Sequence, residues 1–100
     1  MKAVTMVRIY LTEGEQKLQP LLTYLHDEHR VRGVTVMRGI SGFGQSGKFH
    51  TVHLVDLTMD LPIVIEFFDT PEKVHPLLTS LHSFIEPGHL VYWSAYVNEA

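Results

Sequence analysis

The chain contains no cysteine. That absence excludes disulfides, zinc–thiolate sites and cysteine nucleophiles. Excess positive charge is lacking too: eight Lys and Arg against eleven Asp and Glu leave a formal net charge of −3. No overall basic field exists to attract a nucleic acid, and none is expected as a partner. No apolar run reaches the roughly 20 residues that cross a bilayer. The opening MKAVTMVRIYL is interrupted by Thr5 and Arg8 and has no small-residue cleavage site, so it reads as a strand and not a secretory leader. A cytoplasmic protein is expected. Internal repeats and low-complexity segments are missing as well. What is present is 100 residues with 45% hydrophobic content, enough for one domain around one core.

Two periodicities alternate along the chain. In Val4–Leu11, Thr5, Val7, Ile9 and Leu11 share one face of a strand, and Val4, Met6, Arg8 and Tyr10 share the other. Thr12-Glu13-Gly14-Glu15 has the spacing of a capping box, but Pro20 follows, so the helix is placed from Leu18. Leu18, Leu21, Leu22 and Leu25 repeat at helical spacing. That helix frays through Asp27-Glu28-His29-Arg30 and stops before Gly33. Val34–Arg38, Phe49–Leu57 and Ile63–Phe68 read as strands. Thr70-Pro71 starts a second helix, with the Thr70 hydroxyl as its cap and Val74, Leu77, Leu78, Leu81 and Ile85 as its apolar stripe. Pro76 either kinks this helix or delays its start to His75. A last alternating strand follows the Pro87-Gly88 turn.

The order β-α-β-loop-β-α-β gives an α+β fold, a ferredoxin-like βαββαβ sandwich whose antiparallel sheet carries both helices on one face. The other face is left uncovered. The alternation assigns Met6, Tyr10, Val64, Phe68, Tyr92 and Tyr96 to it, with Arg8 and Glu66 close enough to pair across neighbouring strands. A contiguous apolar patch of that kind marks an interface, and a closed oligomer packing sheet against sheet is expected.

The segment with the most chemical content is Arg38-Gly39-Ile40-Ser41-Gly42-Phe43-Gly44-Gln45-Ser46-Gly47-Lys48. It holds four of the seven glycines between two cations. Glycines let backbone amides converge on one anion, and Arg38 and Lys48 would neutralise it. Gly42–Lys48 imitates the start of a Walker A loop. However, Phe49 stands where a magnesium-binding hydroxyl is needed, and a strand pattern follows where a P-loop opens a helix. The glycine spacing is not that of a dinucleotide fingerprint either. No cofactor is expected. Seven histidines invite a metal reading, but His26/His29 and His75/His82 lack a third ligand, and His50 and His53 point to opposite strand faces. Glu66, set among apolar residues, could serve as a general acid. Pairing with Arg8 is the favoured role.

Arg38-Gly39-Ile40-x-Gly42-Phe43-Gly44, with Gly33-Val34-Thr35-Val36 before it and Asp60-Leu61-Pro62-Ile63-Val64-Ile65-Glu66 after it, resembles a bacterial and archaeal family, domain of unknown function 190. The resemblance runs from the first strand to Val97. It implies a PII-like trimer whose long segment at 39–49 is similar to the T-loop of PII signalling proteins. It implies a regulator that binds an adenine nucleotide or another small anionic ligand between subunits and acts on a membrane transporter or an enzyme. No tyrosine lies in this segment, so regulation by uridylylation is not expected. On this reading Arg38 and Lys48 hold phosphate, Gly39, Gly42 and Gly44 donate amides, and Phe43 stacks on a base or docks into a partner. The protein would bind and not catalyse. Rival readings are a trimeric metal-handling protein resembling the copper-tolerance relatives of PII, and a small enzyme using Glu66 or a histidine in an inter-subunit cleft.

A glycine-rich segment costs little to open and much to order. Limited proteolysis of the free protein is therefore expected to cut first near Lys48, with ligand protecting that bond. First cleavage elsewhere in the chain would contradict a switching role for this segment.

Overall fold

The computed structural model describes residues 1–43, 49–51 and 61–99. It has the expected α+β architecture. Strand β1 spans Lys2–Thr12, helix α1 Leu18–Thr23, β2 Val34–Arg38, β3 Ser41–Phe43, β4 Phe49–Thr51, β5 Pro62–Asp69, α2 Pro71–Phe84 and β6 Leu90–Val97. The main sheet has the order β2-β5-β1-β6, with antiparallel pairing throughout. That is the ferredoxin-like order, in which each helix crosses over between strands that are not direct neighbours. Of the strand expected over Phe49–Leu57, residues 49–51 form β4, paired with β3 in a separate ribbon, and 52–57 lie outside the described residues.

The core is one layer between the sheet and the helices. Val7, Ile9 and Leu11 of β1 and Ile63, Ile65 and Phe67 of β5 meet Leu21 and Leu25 from the first helical segment. Val74, Leu77, Leu78 and Leu81 of α2, with Ile85 beyond its end, close the layer. The second stripe is the expected one, and α2 runs on through Pro76. Its start differs in detail. Thr70 is the cap residue, but its hydroxyl makes no capping bond. The buried Asp69 instead accepts the Thr70 N–H at 2.8 Å.

Asp69 also accepts the Arg32 N–H at 3.0 Å, and Lys73 donates to the Arg30 carbonyl at 2.6 Å. These bonds fasten the connection before β2 to the start of α2. The first helix does not fray into that connection. It widens into a π-helical turn over Tyr24–Glu28, with the His29 N–H reaching the Tyr24 carbonyl and the Val31 N–H the Leu25 carbonyl. The wider turn keeps Leu25 fully buried. The chain then reverses at Arg30, whose φ of 50° is left-handed. That conformation costs a residue that carries a Cβ roughly 1–2 kcal/mol.

Phe67 is 2% exposed on the helix side, whereas the adjacent Phe68 lies on the opposite face. Truncating a buried phenylalanine costs about 3–5 kcal/mol. Phe67→Ala is expected to lose that much in chemical denaturation and Phe68→Ala clearly less. The reverse ranking would mean that the two faces of the sheet have been exchanged.

Candidate ligand-binding site

Three chain segments meet at one end of the sheet, and register brings them there. Thr12 ends β1 opposite Pro62, and Arg38 ends β2 opposite Ile63. The capping-box residues close a one-turn 3-10 helix at Glu13–Glu15 instead of α1, with the Thr12 N–H donating to Glu15 Oε2 at 2.6 Å. The Glu13 N–H donates to the Leu61 carbonyl at 3.0 Å. On the other side the Gly39 N–H donates to the Pro62 carbonyl at 2.7 Å. A Cβ on Gly39 would sit 2.7 Å from Pro62 Cγ, so this position has no room for a side chain. The glycine-rich segment thus leaves and returns across a closely packed base.

Arg38 crosses this base. Its Nε and an Nη donate to Glu13 Oε1. The guanidinium side chain is 59% exposed and the carboxylate side chain 23%. Of the residues expected to hold an anion, Arg38 is therefore at the surface, already facing one carboxylate. Gly39 is not an available amide donor, because its N–H is taken by Pro62; close backbone approach is what requires glycine there. Gly42 lies in β3 opposite His50, and Phe43 opposite Phe49. Ile40 and Phe43 are prominently exposed. Gly44 and Lys48 lie outside the described residues.

Two shallow clefts border β2. One, of ≈ 450 Å³, runs along the first helix past Gln19, Thr23, His26 and Asp27 and contains no lysine or arginine. The other, of ≈ 430 Å³, is lined by Arg32, Gly33, Val34, Thr35, Glu66, Phe67 and Phe68. Arg32 holds its guanidinium 4.9 Å above the Phe68 ring and donates to Glu99. The tail reaches it through a tight turn in which the Glu99 N–H meets the Val97 carbonyl at 2.8 Å. Sequence reading passed over Arg32. Its only signal was a cation beside Gly33 before a β-branched run, and the aromatic platform comes from a strand 36 positions away, which pairing alone delivers.

The uncovered face is present, with one correction. Met6 pairs with Trp93 and Arg8 with Val91, so Val91, Trp93, Ala95 and Val97 share this face. Tyr92 and Tyr96 stand opposite Val7 and Ala3, on the helix side. Both faces of β6 are apolar or aromatic, so alternation defined two sets without saying which was which; pairing with β1 decides. Arg8 and Glu66 form the expected pair, Nε–Oε2 3.1 Å and Nη–Oε2 2.8 Å, and Arg8 lies 5.2 Å from the Trp93 ring centre. The Glu66 hydrogen bond, then Tyr10, raises the affinity of the Arg8 guanidinium for its proton. Among the described residues no group of three or more His, Asp and Glu could hold a metal ion. No helix among them is long and apolar enough to cross a membrane.

Comparison with known proteins follows this geometry. The family model described as "Uncharacterized ACR", domain of unknown function 190, matches residues 4–97. A UPF0166 protein of Aquifex aeolicus is 39% identical over 74 residues, 74% of either chain. A UPF0166 protein of Methanocaldococcus jannaschii is 31% identical over 90 residues, covering 85% of this chain and 82% of its own. Among solved structures, CPII of Thiomonas intermedia K12, a nitrogen regulatory PII-like protein, is 25% identical, and the match covers 97% of this chain and 90% of CPII. The TM-score is 0.69 for its complex with ADP and bicarbonate and 0.72 for that with ADP, AMP and bicarbonate.

The Arg32 hydrogen bond holds the Glu99 carboxyl below its ordinary value of 4.5. A lowered carboxyl contributes stability that is complete above its unfolded value and disappears as pH falls through the folded one. Glu99→Gln is expected to lower the denaturation midpoint slightly at neutral pH, and the gap from the unaltered protein should close in acid. A gap that persists unchanged well below pH 4.5 would separate Glu99 from Arg32.

Proposed function

The chain belongs to the domain of unknown function 190 family, and from that premise we propose that it is a PII-like regulator, a homotrimer that binds an adenine nucleotide or a related anionic metabolite at subunit interfaces. The observation that carries this reading is the likeness over 97% of the chain to a PII-like protein holding ADP and bicarbonate, joined to two exposed arginines flanking β2. Arg38 stands at the base of the glycine-rich segment, and Arg32 stands over an aromatic ring in a cleft of ≈ 430 Å³. A guanidinium binds phosphate through paired N–H groups, and a ring face accepts a base by stacking. Gly42, Phe43, Gly44 and Lys48 complete the proposed contacts along the segment.

Assembly is the second part of the proposal. Trp93, Val91, Met6, Phe68 and Tyr10 cluster around the half-buried Arg8–Glu66 pair on the face that no helix among the described residues covers. Sheet-against-sheet packing of three copies would remove that apolar surface from water and form clefts between subunits. The protein would act in the cytoplasm by contacting a transporter or an enzyme when ligand orders the 39–49 segment. Binding, not turnover, is its proposed activity.

Sedimentation at micromolar concentration is expected to give a trimer, and ADP or AMP at millimolar concentration to raise its melting temperature. Trp93→Glu, which sets an uncompensated charge in the contact, should release monomers. A monomeric native protein would refute the assembly, and a melting temperature indifferent to both nucleotides would refute the ligand class.

A further inference from the structure

We propose that Glu13 is a built-in competitor for the anion site: its carboxylate occupies Arg38 in the free protein, and an arriving phosphate takes the guanidinium over. The inference rests on the anionic-ligand reading given above and adds how that site is regulated.

The two partners are held very unequally. Glu13 sits in a one-turn 3-10 helix closed by the Thr12–Glu15 hydrogen bond, and its own N–H is tied to the Leu61 carbonyl. Its side chain is 23% exposed. Arg38 ends a strand at the sheet edge and leaves 59% of its side chain to solvent. The carboxylate is the fixed element and the guanidinium the one able to turn away. Both Arg38 N–H groups converge on a single oxygen, Oε1. The guanidinium edge that would grip a phosphate is thus engaged by one carboxylate oxygen.

Electrostatics makes the exchange cheap. An exposed ion pair in water contributes little, while a phosphate offers more negative charge and a second acceptor oxygen to the same edge. The guanidinium stays paired throughout; the charge released is the Glu13 carboxylate, which turns to solvent and repels the bound phosphate. The location gives the exchange a consequence. The base of the glycine-rich segment is tied by Glu13 N–H to Leu61, by Gly39 N–H to Pro62, and by Arg38 to Glu13. Loss of the last tie frees the turn after β1 from the end of β2 and leaves the two backbone bonds as the hinge.

Titration calorimetry with ADP and with pyrophosphate, on the native chain, Glu13→Gln, Arg38→Ala and the double variant, tests the exchange. Removing the competitor should tighten binding of both probes by up to about fivefold, the value of an exposed pair. Arg38→Ala should weaken binding about tenfold or more. On the Arg38→Ala background, Glu13→Gln should change nothing. Melting temperatures within a few degrees of native would verify that the variants fold. Weaker or unchanged binding in Glu13→Gln, with Arg38→Ala also weak, overturns the proposal and makes Glu13 a support for Arg38. Affinities unmoved by either substitution also overturn it, while nucleotide binding itself would stand. If the native chain binds neither probe, the ligand reading fails. Pyrophosphate binding gained in Glu13→Gln would then still support competition, and none gained would overturn it.

Discussion

The antiparallel register of β1 against β5, from Thr5 opposite Asp69 to Thr12 opposite Pro62, is the constraint from which the other features follow. It turns Val7, Ile9 and Leu11 toward the same helices as Ile63, Ile65 and Phe67, so the core forms on one side only. It sets Arg8 against Glu66 on the other side. It also ends β1 beside the residues where the glycine-rich segment returns to the sheet. A shift by one residue would invert both faces and part Arg8 from Glu66. Burial of six apolar side chains on one face is what forbids that shift.

The second organising feature is that arginines near the clefts and faces already hold carboxylates: Arg8 with Glu66, Arg32 with Glu99, Arg38 with Glu13. These pairs are too exposed to matter greatly for stability. Their chemistry differs by location. Arg8 is also set against Trp93 in the middle of the sheet, where packing of another surface would desolvate the pair and make its partner indispensable. Arg32 and Arg38 stand at the margins of β2, where, on the proposed reading, a phosphate would compete with each carboxylate. A surface pair that is weak in water is well suited to be exchanged.

The connection before β2 explains why those margins are well defined. The π-helical turn, the left-handed Arg30, the hydrogen bond from the Arg32 N–H to Asp69 and that from Lys73 to the Arg30 carbonyl place Arg32 and Gly33 over the end of β5. Without them, β2 would be held by its pairing with β5 and the packing of Val34 on the core, and the connection carrying Arg32 would be less well fixed.

Local pattern alone was enough for the order of the four sheet strands and two helices, the two helical stripes, the fold class and the Arg8–Glu66 pair. Each depends on spacing within one element, or on two central strands whose buried faces are unambiguous. Close packing at Gly39 and the partner of Arg38 could not be read this way, because Glu13 is 25 positions distant and meets Arg38 only when β1 and β2 end against the same end of β5, one on each side of it. The face of β6 was misassigned for a related reason: an edge strand apolar on both sides carries no internal mark of which side is buried. Sequence by itself determined which residues alternate and which repeat with helical period, since those follow from backbone geometry. Tertiary structure decided which alternating set faces the core, which carboxylate each arginine meets and which glycine is needed for contact, since these depend on residues brought together only by strand pairing.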